Sequence, residues 1–226
     1  YAFGHSIKND INANSWRILR ALTTDDDLLD RFPITTYGEW EMALKLENGN
    51  EFIGGILHGN EVLNNIKFFV DGGEVDITTL TTLTTFKELR IVENTLLYNP
   101  DIANENVAKH SKEYIFTSDG LTLNQRVYWL MSKTLTTSYA AMFPLIRGND
   151  TVSELQVTAD YYDNNDYETY DVSVGGISGY PFTWHSNVSK AHFWSDESGI
   201  FASAEMLSQP SLTGGKMSFV QNTVNQ

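Results

Sequence analysis

Short segments of alternating polar and apolar residues, separated by turn sequences, recur along this chain and restrict its fold more than any other feature. In "EWEMALKLENGN", residues 39–50, the alternation has the period of a half-buried β-strand. Asn48-Gly49 is a signal for a two-residue hairpin, and similar turn sequences stand at residues 71–73 and 118–120. Because strands recur at intervals of about ten residues, the sequence predicts an all-β fold, an antiparallel β-sandwich of the jelly-roll type.

The N-terminal part of the chain has a different period. Between residues 10 and 32, Trp16, Leu19 and Leu22 recur at helical spacing, and Asp10 stands where a helix N-cap belongs. We therefore predict a short helical segment in this region.

Nothing in the sequence has the composition of a linker between domains. The chain has 226 residues and is 41% hydrophobic, which is sufficient for one large sandwich. We predict a single β-sandwich domain over residues 1–226, with residues 1–34 as an N-terminal helical elaboration.

Charge and cysteine content exclude several classes of function. With 29 acidic and 15 basic residues, the net charge is −14, which repels nucleic acids and anionic membranes. The chain has no cysteine, which excludes a disulfide, a thiol nucleophile and a cysteine-ligated zinc site. It also lacks an apolar run of about 18 residues, the length that a membrane helix needs. We expect neither a nucleic acid nor a membrane as partner.

Two stretches, "TTYGEWEMALKLENGN" (residues 35–50) and "KEYIFTSDGLTLN" (residues 112–124), carry a family resemblance. The first resembles the opening strand of concanavalin-like jelly-roll proteins, such as laminarinase-type glycosidases and several polysaccharide lyases. There, a Tyr-Gly often precedes an alternating acidic and apolar strand. The second resembles a later strand pair of the same fold. The resemblance implies a jelly roll that acts on glycans.

The catalytic motifs of these families are absent or altered. Laminarinase-type hydrolases carry a Glu-x-Asp-x-x-Glu strand, whereas Glu39 and Glu41 lie on the entry strand. Jelly rolls of the alginate-lyase type use an arginine-rich strand, a Gln-x-His strand and a strand with a tyrosine. Here "GILHGNE" has the histidine without that glutamine, and "QRVYW" and "TTSYAAMFPL" hold an arginine and tyrosines at other spacings.

A lyase of this type cleaves a uronate chain by β-elimination. It neutralises the substrate carboxylate, removes the C5 proton with a base and protonates the leaving oxygen. Histidine and tyrosine suit the proton transfers, and arginine or amide groups suit the carboxylate. This chemistry needs no metal or cofactor, and we expect none.

The stretch "FIGGILHGNE", residues 52–61, contains the leading candidate for the base. It has the pattern of an apolar strand that runs into a turn at His58. Its glycines either shape a hairpin, in which case His58 is structural, or leave space beside the backbone because they have no side chain, so that a substrate can approach His58. In the second interpretation His58 is catalytic, and Glu61 orients its imidazole.

The arginine and tyrosine candidates stand on later strands. In "QRVYW", Arg126 and Tyr128 share one strand face and form a candidate uronate clamp, while Gln125 lies on the other face as a further substrate-binding residue. Tyr139 precedes small residues and is the candidate acid. A surface ladder and a tyrosine at the rim are the structural alternatives. The catalytic interpretation predicts that His58, Arg126 and one of the two tyrosines meet around one bound sugar.

Two further segments are candidates for binding. Tyr180, Trp184 and His185 stand in the aromatic stretch "GYPFTWHSN", and aromatic planes beside polar groups suit sugar rings. A packed loop that closes the sandwich is the alternative. The acids of "DYYDNNDYE", residues 160–168, are hard oxygen ligands and a candidate calcium site, although they lack the EF-hand spacing.

The remaining histidines, His5, His110 and His192, have no supporting neighbours in the sequence. We interpret them as structural or surface residues.

These observations favour a polysaccharide lyase that cleaves an acidic glycan and is extracellular or virion-associated. One alternative is a non-catalytic carbohydrate-binding or phage receptor-binding module, and another is a structural jelly roll of a tail or capsid. The expected partner is a polysaccharide, and the sequence leaves the oligomeric state open.

Overall fold

The structure is a computed structural model that describes residues 1–20, 22–24, 31–33, 41–82, 84–142, 161–164, 169–171, 183–188, 190–195, 200–205 and 217–221. Contacts within the chain divide it into two compact units, which are described separately. The first unit comprises Tyr1–Ala2, Ile18–Glu39 and Phe143–Gln226, and the second comprises Phe3–Arg17 and Trp40–Met142. The single domain over residues 1–226 stays a prediction.

The described residues are mostly β-strand, with one short α-helix and one 3₁₀ turn (Ile77–Thr79). The elements are β1 (Ala2–Lys8), β2 (Ala13–Arg20), β3 (Leu22–Thr24), β4 (Arg31–Pro33), β5 (Ala43–Leu46), β6 (Phe52–Ile53), α1 (Gly55–His58), β7 (Glu61–Val70), β8 (Gly73–Val75), β9 (Leu89–Tyr98), β10 (Asn106–Thr117), β11 (Gly120–Trp129), β12 (Leu135–Tyr139), β13 (Tyr161–Asn164), β14 (Thr169–Asp171), β15 (Thr183–Val188), β16 (Lys190–Ser195), β17 (Ile200–Glu205) and β18 (Met217–Gln221). The described part of the chain contains no helix with the length and apolar character of a membrane span.

A large sheet is the scaffold of the second unit. Its described strands lie in the order β1-β2-β7-β9-β10-β11, and β8 pairs with β7. Neighbours from β7 to β11 are antiparallel, whereas β2 is parallel to β7. The turns predicted at residues 71–73 and 118–120 are confirmed, because two-residue connections join β7 to β8 and β10 to β11. The all-β prediction is also confirmed, although the described residues do not establish a jelly-roll sandwich.

A three-stranded sheet of order β12-β5-β6, here called the covering sheet, packs against one end of the large sheet. Ala43 of β5 is buried as well, but Leu44 and Leu46 point inward, as the sequence period predicts. They pack with residues of β6, β9 and β10 into a core of Met42, Leu44, Leu46, Ile53, Leu97, Val107 and Ala108. This end of the sheet is therefore held by burial of aliphatic surface.

Aromatic rings fill the other end of the same buried face. The ring of Phe3 on β1 lies 5.0 Å from that of Tyr114 and 5.8 Å from that of Trp16, measured between centroids. Trp16 also meets Phe68 edge-on at 5.3 Å. The buried face of the large sheet thus has an aliphatic end and an aromatic end, with the residues described below between them.

The first unit is also built from strands. Its described strands form a four-stranded sheet of order β14-β13-β16-β17 and two strand pairs, β15 with β18 and β3 with β4. Within the stretch "KAHFWSDESGIFASAEML", β16 pairs antiparallel with β17.

The predicted helix between residues 10 and 32 is wrong for the described residues of that range, which form a turn and the strands β2, β3 and β4. Asn12 adopts a positive φ of 49° in a turn, and β2 begins at the next residue. The backbone N–H of Trp16, which a helix would use internally, donates instead to the carboxylate of Glu93 at 2.8 Å. Sheet pairing and this tertiary contact outweigh the apolar spacing, because helix propensity is a weak preference.

The connection at Asn48-Gly49 is a turn, but the prediction of a two-residue hairpin is wrong. The last strand pair is Lys45 with Phe52, which leaves a longer loop. Asn48 takes a positive φ of 62°, and the N–H of Gly49 donates to Leu46. The loop is longer because the backbone and side chain of Asn50 both donate to the carboxylate of Asp101, at 3.2 and 2.9 Å.

Candidate functional site

The stretch "FIGGILHGNE" does not continue as the predicted strand through Ile56. β6 ends at Ile53, and α1 follows two residues later. The first N–H groups of α1 donate to carboxylates. Those of Ile56 and Leu57 reach Glu41 at 2.8 and 2.9 Å, and that of Gly55 reaches Glu61. Because these acids satisfy donors that have no partner inside a helix, the chain turns here.

Two glycines of this stretch make room for other parts of the same chain. Gly54 and Gly55 have φ values of +132° and +58°, which side chains rarely adopt. A Cβ at Gly54 would overlap the carbonyl oxygen of Met42, and one at Gly55 would overlap the carboxylate of Glu41. The close packing explains these glycines without a substrate.

His58 lies at the end of α1, partly covered, with its side chain 24% exposed. Its Nδ1 is 3.9 Å from Oε2 of Glu41, and its ring centroid is 5.4 Å from that of Phe52. The carboxylate of Glu41 is itself buried and receives a hydrogen bond of 2.7 Å from Arg17. The nearest acid to His58 is therefore Glu41, and Glu61 has other partners.

Between the two apolar ends of the buried face lies a group of polar and charged side chains, here called the buried ionic cluster. Its members are Glu61, Glu93, Thr95, His110 and Lys112, and none is more than 5% exposed. They come from β7, β9 and β10, and on β9 and β10 they occupy two consecutive inward positions, with apolar core residues at the inward positions before and after them. In register, Thr95 faces His110 and Glu93 faces Lys112.

Glu61 is the centre of the buried ionic cluster. Its Oε1 receives hydrogen bonds from Thr95 Oγ1 at 2.6 Å and His110 Nδ1 at 3.0 Å, and it lies 3.0 Å from Lys112 Nζ. Burial raises the pKa of Glu61, but the attraction of Lys112 and then of His110 outweighs burial, so the pKa is held well below its usual range. Glu61 is therefore ionised at neutral pH.

Lys112 is shared between two carboxylates. Its Nζ is 2.8 Å from Oε2 of Glu93, in addition to its contact with Glu61. Burial alone would lower the pKa of Lys112, but the charges of Glu61 and Glu93 raise it well above its usual value. Burial raises the pKa of Glu93, and the attraction of Lys112 offsets only part of that effect. The ammonium is thus firmly charged, and Glu93 is the more easily protonated acid.

A chain of hydrogen bonds leads from the buried ionic cluster to the covering sheet. His110 Nε2 lies 3.1 Å from Oε1 of Gln125 on β11. The amide nitrogen of Gln125 donates to the carbonyl oxygen of Ala140 at 2.8 Å, just after β12. The sequence candidates Glu61 and Gln125 are therefore joined, and His110 joins them.

The opposite face of the large sheet carries a polar surface, here called the outer-face patch, of Asn65, Asn94, Lys109, Ser111, Arg126 and Tyr128. In register, Asn65, Asn94, Ser111 and Arg126 form one row across β7, β9, β10 and β11, and Lys109 faces Tyr128 in the next row. Asn94 donates to Asn65 at 2.8 Å. All but Arg126 line a depression of about 190 Å³.

The outer-face patch is cationic on an acidic protein. Lys109 and Arg126 are exposed and form no ion pair within the described part of the chain. Their strand register places them diagonally adjacent. Tyr128 is 51% exposed, so its ring is open to a ligand. Unpaired cations, amides and an exposed aromatic ring suit a flat polar ligand with negative charge.

The predicted meeting of His58 with Arg126 is not found. His58 belongs to the helical turn whose N–H groups contact Glu61 on the buried face, whereas Arg126 lies on the outer face. Tyr139 ends β12 in the covering sheet and is exposed. Arg126 and Tyr128 do share a face, as predicted from their spacing. The catalytic roles of these residues stay predictions.

The remaining candidates lie partly or wholly outside the described residues. Tyr180 is outside them, and for Trp184 and His185 only their places in β15 are described. Most of the predicted calcium segment, residues 160–168, also falls outside. Among the side chains that are described, no three acids or histidines are arranged to hold a metal ion.

The sequence interpretation missed the buried ionic cluster, although a signal for it exists. Glu93 shares its strand parity with Ile91 and Leu97, and Lys112 shares its parity with Tyr114. On two consecutive strands, charged residues therefore stand at positions that point to the same face as apolar residues. This pattern indicates a buried polar layer.

Replacing Thr95 with valine should lower the free energy of unfolding by about 1–3 kcal/mol. The Thr95 hydroxyl is buried and donates to the Glu61 carboxylate, so its removal leaves that acid with one donor fewer. The loss should shrink as the pH falls far enough to protonate Glu61, because the pKa of Glu61 is depressed in the folded state. Urea unfolding at several pH values measures both effects. Thr122→Val, on the outer face of β11, is the matched control and should change stability by under about 0.5 kcal/mol.

Comparison of the chain with protein-family models, curated proteins and solved structures gave no significant match.

Proposed function

We propose that this protein is a non-catalytic carbohydrate-binding module that takes a carboxylate-bearing glycan on the outer-face patch. The observation that carries the proposal is the pair of exposed, unpaired cations, Lys109 and Arg126, beside the exposed ring of Tyr128. On a chain with a net charge of −14, a local cationic surface favours an anionic ligand against the overall field.

The chemistry of the outer-face patch matches a uronate chain. Arg126 can bind a carboxylate through two parallel hydrogen bonds, and Lys109 adds a point charge. The amides of Asn65 and Asn94 offer donors and acceptors to sugar hydroxyls. Tyr128 offers an apolar ring plane with a polar tip. A shallow depression on a sheet suits a chain that passes across the protein, and the ligand need not be enclosed.

Substituting Lys109 or Arg126 with alanine should weaken binding about tenfold or more, the scale of a lost charge-assisted hydrogen bond. Titration calorimetry with alginate and polygalacturonate oligosaccharides, against neutral cello-oligosaccharides of equal length, measures this. Lys87→Ala is the matched control, because Lys87 is an exposed lysine on the loop before β9 and its loss changes the net charge equally. Uronate binding should survive in that variant.

Equal binding by all three variants, or no preference for uronates over neutral chains, would rule out this site. The same samples also test the polysaccharide-lyase alternative. A rise in the ultraviolet absorbance of unsaturated uronates that His58→Ala abolishes would mean that the protein is a polysaccharide lyase and not a binding module. A partly exposed histidine beside a buried acid is the observation that keeps this alternative.

A further inference from the structure

We infer that His110 is a doubly protonated imidazolium in the folded protein. Its Nε2 proton maintains the chain of hydrogen bonds that connects the large sheet to the covering sheet. The inference concerns the buried face; His110 also contributes to the lining of the depression at the outer-face patch, but the inference does not require a glycan there. It follows from the direction of the hydrogen bonds around one side chain.

The direction of each hydrogen bond is fixed from both ends. The carbonyl oxygen of Ala140 only accepts, so the group of Gln125 that meets it is the amide NH₂. The carbonyl oxygen of Gln125 then faces Nε2 of His110, which must donate. At the other end, Nδ1 of His110 faces the carboxylate of Glu61, which is ionised and only accepts. Both ring nitrogens therefore carry a proton.

The charges around His110 favour the same state. On its own strand stand Lys112 and Tyr114, β7 contributes Glu61, and β9 contributes Glu93. Glu41 acts on Tyr114 from the covering side, together with its partners Arg17 and His58. With a charged His110, two carboxylates face two cations in the buried ionic cluster, and its net charge is zero. With a neutral His110, Glu61 and Glu93 would share the single ammonium of Lys112, and one buried carboxylate would be uncompensated unless Glu93 took up a proton.

Loss of this proton breaks the connection to the covering sheet. If Nε2 loses its hydrogen, its lone pair faces the carbonyl oxygen of Gln125. Rotation of the Gln125 amide would relieve that contact but would turn the same oxygen toward the carbonyl of Ala140. Either arrangement sets two acceptors against each other, so the end of β12 is less firmly held.

Nitrogen-detected NMR of the histidine rings tests the protonation directly. At pH 7.5, the ring assigned to His110 should show two protonated nitrogens, with the assignment taken from the signal that His110→Gln removes. A single protonated nitrogen would overturn the inference. If His110→Gln does not fold, Gln125→Met keeps the histidine and removes only its acceptor. At pH 7.5 the His110 ring of Gln125→Met should then show less of the doubly protonated form than the parent, because Nε2 has lost its acceptor; an unchanged ring would contradict the inference.

Discussion

Replacing Lys112 with methionine should lower the free energy of unfolding by about 3–5 kcal/mol, the range found when one partner of a buried ion pair is removed. Methionine has a similar length and packs well among apolar groups, so little of the loss comes from a cavity. The loss comes from Glu61 and Glu93, which are 1% and 0% exposed and share this ammonium. Urea unfolding at neutral pH measures the effect.

Lys67→Met is the matched control for this prediction. Lys67 forms an ion pair of similar length with Glu74, at 3.0 Å, but both side chains are more than half exposed. Exposed pairs contribute under about 1 kcal/mol. The two substitutions therefore differ in the burial of the pair and in the number of carboxylates that lose the ammonium, two for Lys112 and one for Lys67. In the Lys112→Met background, Glu93→Gln should restore part of the stability, because it removes one uncompensated charge. Similar losses from Lys112→Met and Lys67→Met would mean that water reaches the buried ionic cluster.

The strands of the second unit were predictable because their local pattern and their tertiary environment agree. β9 and β10 alternate buried and half-exposed residues over most of their length, and Asp-Gly sequences stand in the turns that follow β7 and β10. In β2 the local pattern and the tertiary environment disagree. Trp16 and Leu19 have helical spacing, but the strand is fixed by contacts with β7 and Glu93, which are distant in sequence.

The candidate site was less predictable because its members are brought together by strand register. His110 has no informative neighbour along the chain, yet register places it opposite Thr95, and pairing of β7 with β9 brings Glu61 to it. The sequence placed Glu61 beside His58, three residues away. The turn of α1 directs Glu61 to the buried face, where Gly55 and His110 are its partners. Proximity in sequence therefore suggested the wrong histidine for this acid.

Replacing Gly54 with alanine should lower the free energy of unfolding by roughly 2–5 kcal/mol, as the sum of backbone strain and overpacking. Gly54 has a φ of +132°, and a Cβ there would overlap the backbone carbonyl of Met42. A backbone atom cannot rotate away as a flexible side chain can. Met42 and Ile53, the residue before Gly54, both belong to the aliphatic core, so relief of the overlap disturbs packing there.

Gly120→Ala separates the two contributions. Gly120 has nearly the same φ, +135°, but a Cβ at this position meets nothing within 4 Å. An alanine at either position takes a φ that side chains rarely adopt, which costs about 1–3 kcal/mol. The excess loss in Gly54→Ala, from chemical denaturation, measures the close approach to Met42. If both variants lose the same stability, the gap beside Gly54 is wide enough for a methyl group, and the interpretation of these glycines as space for a bound substrate regains its support.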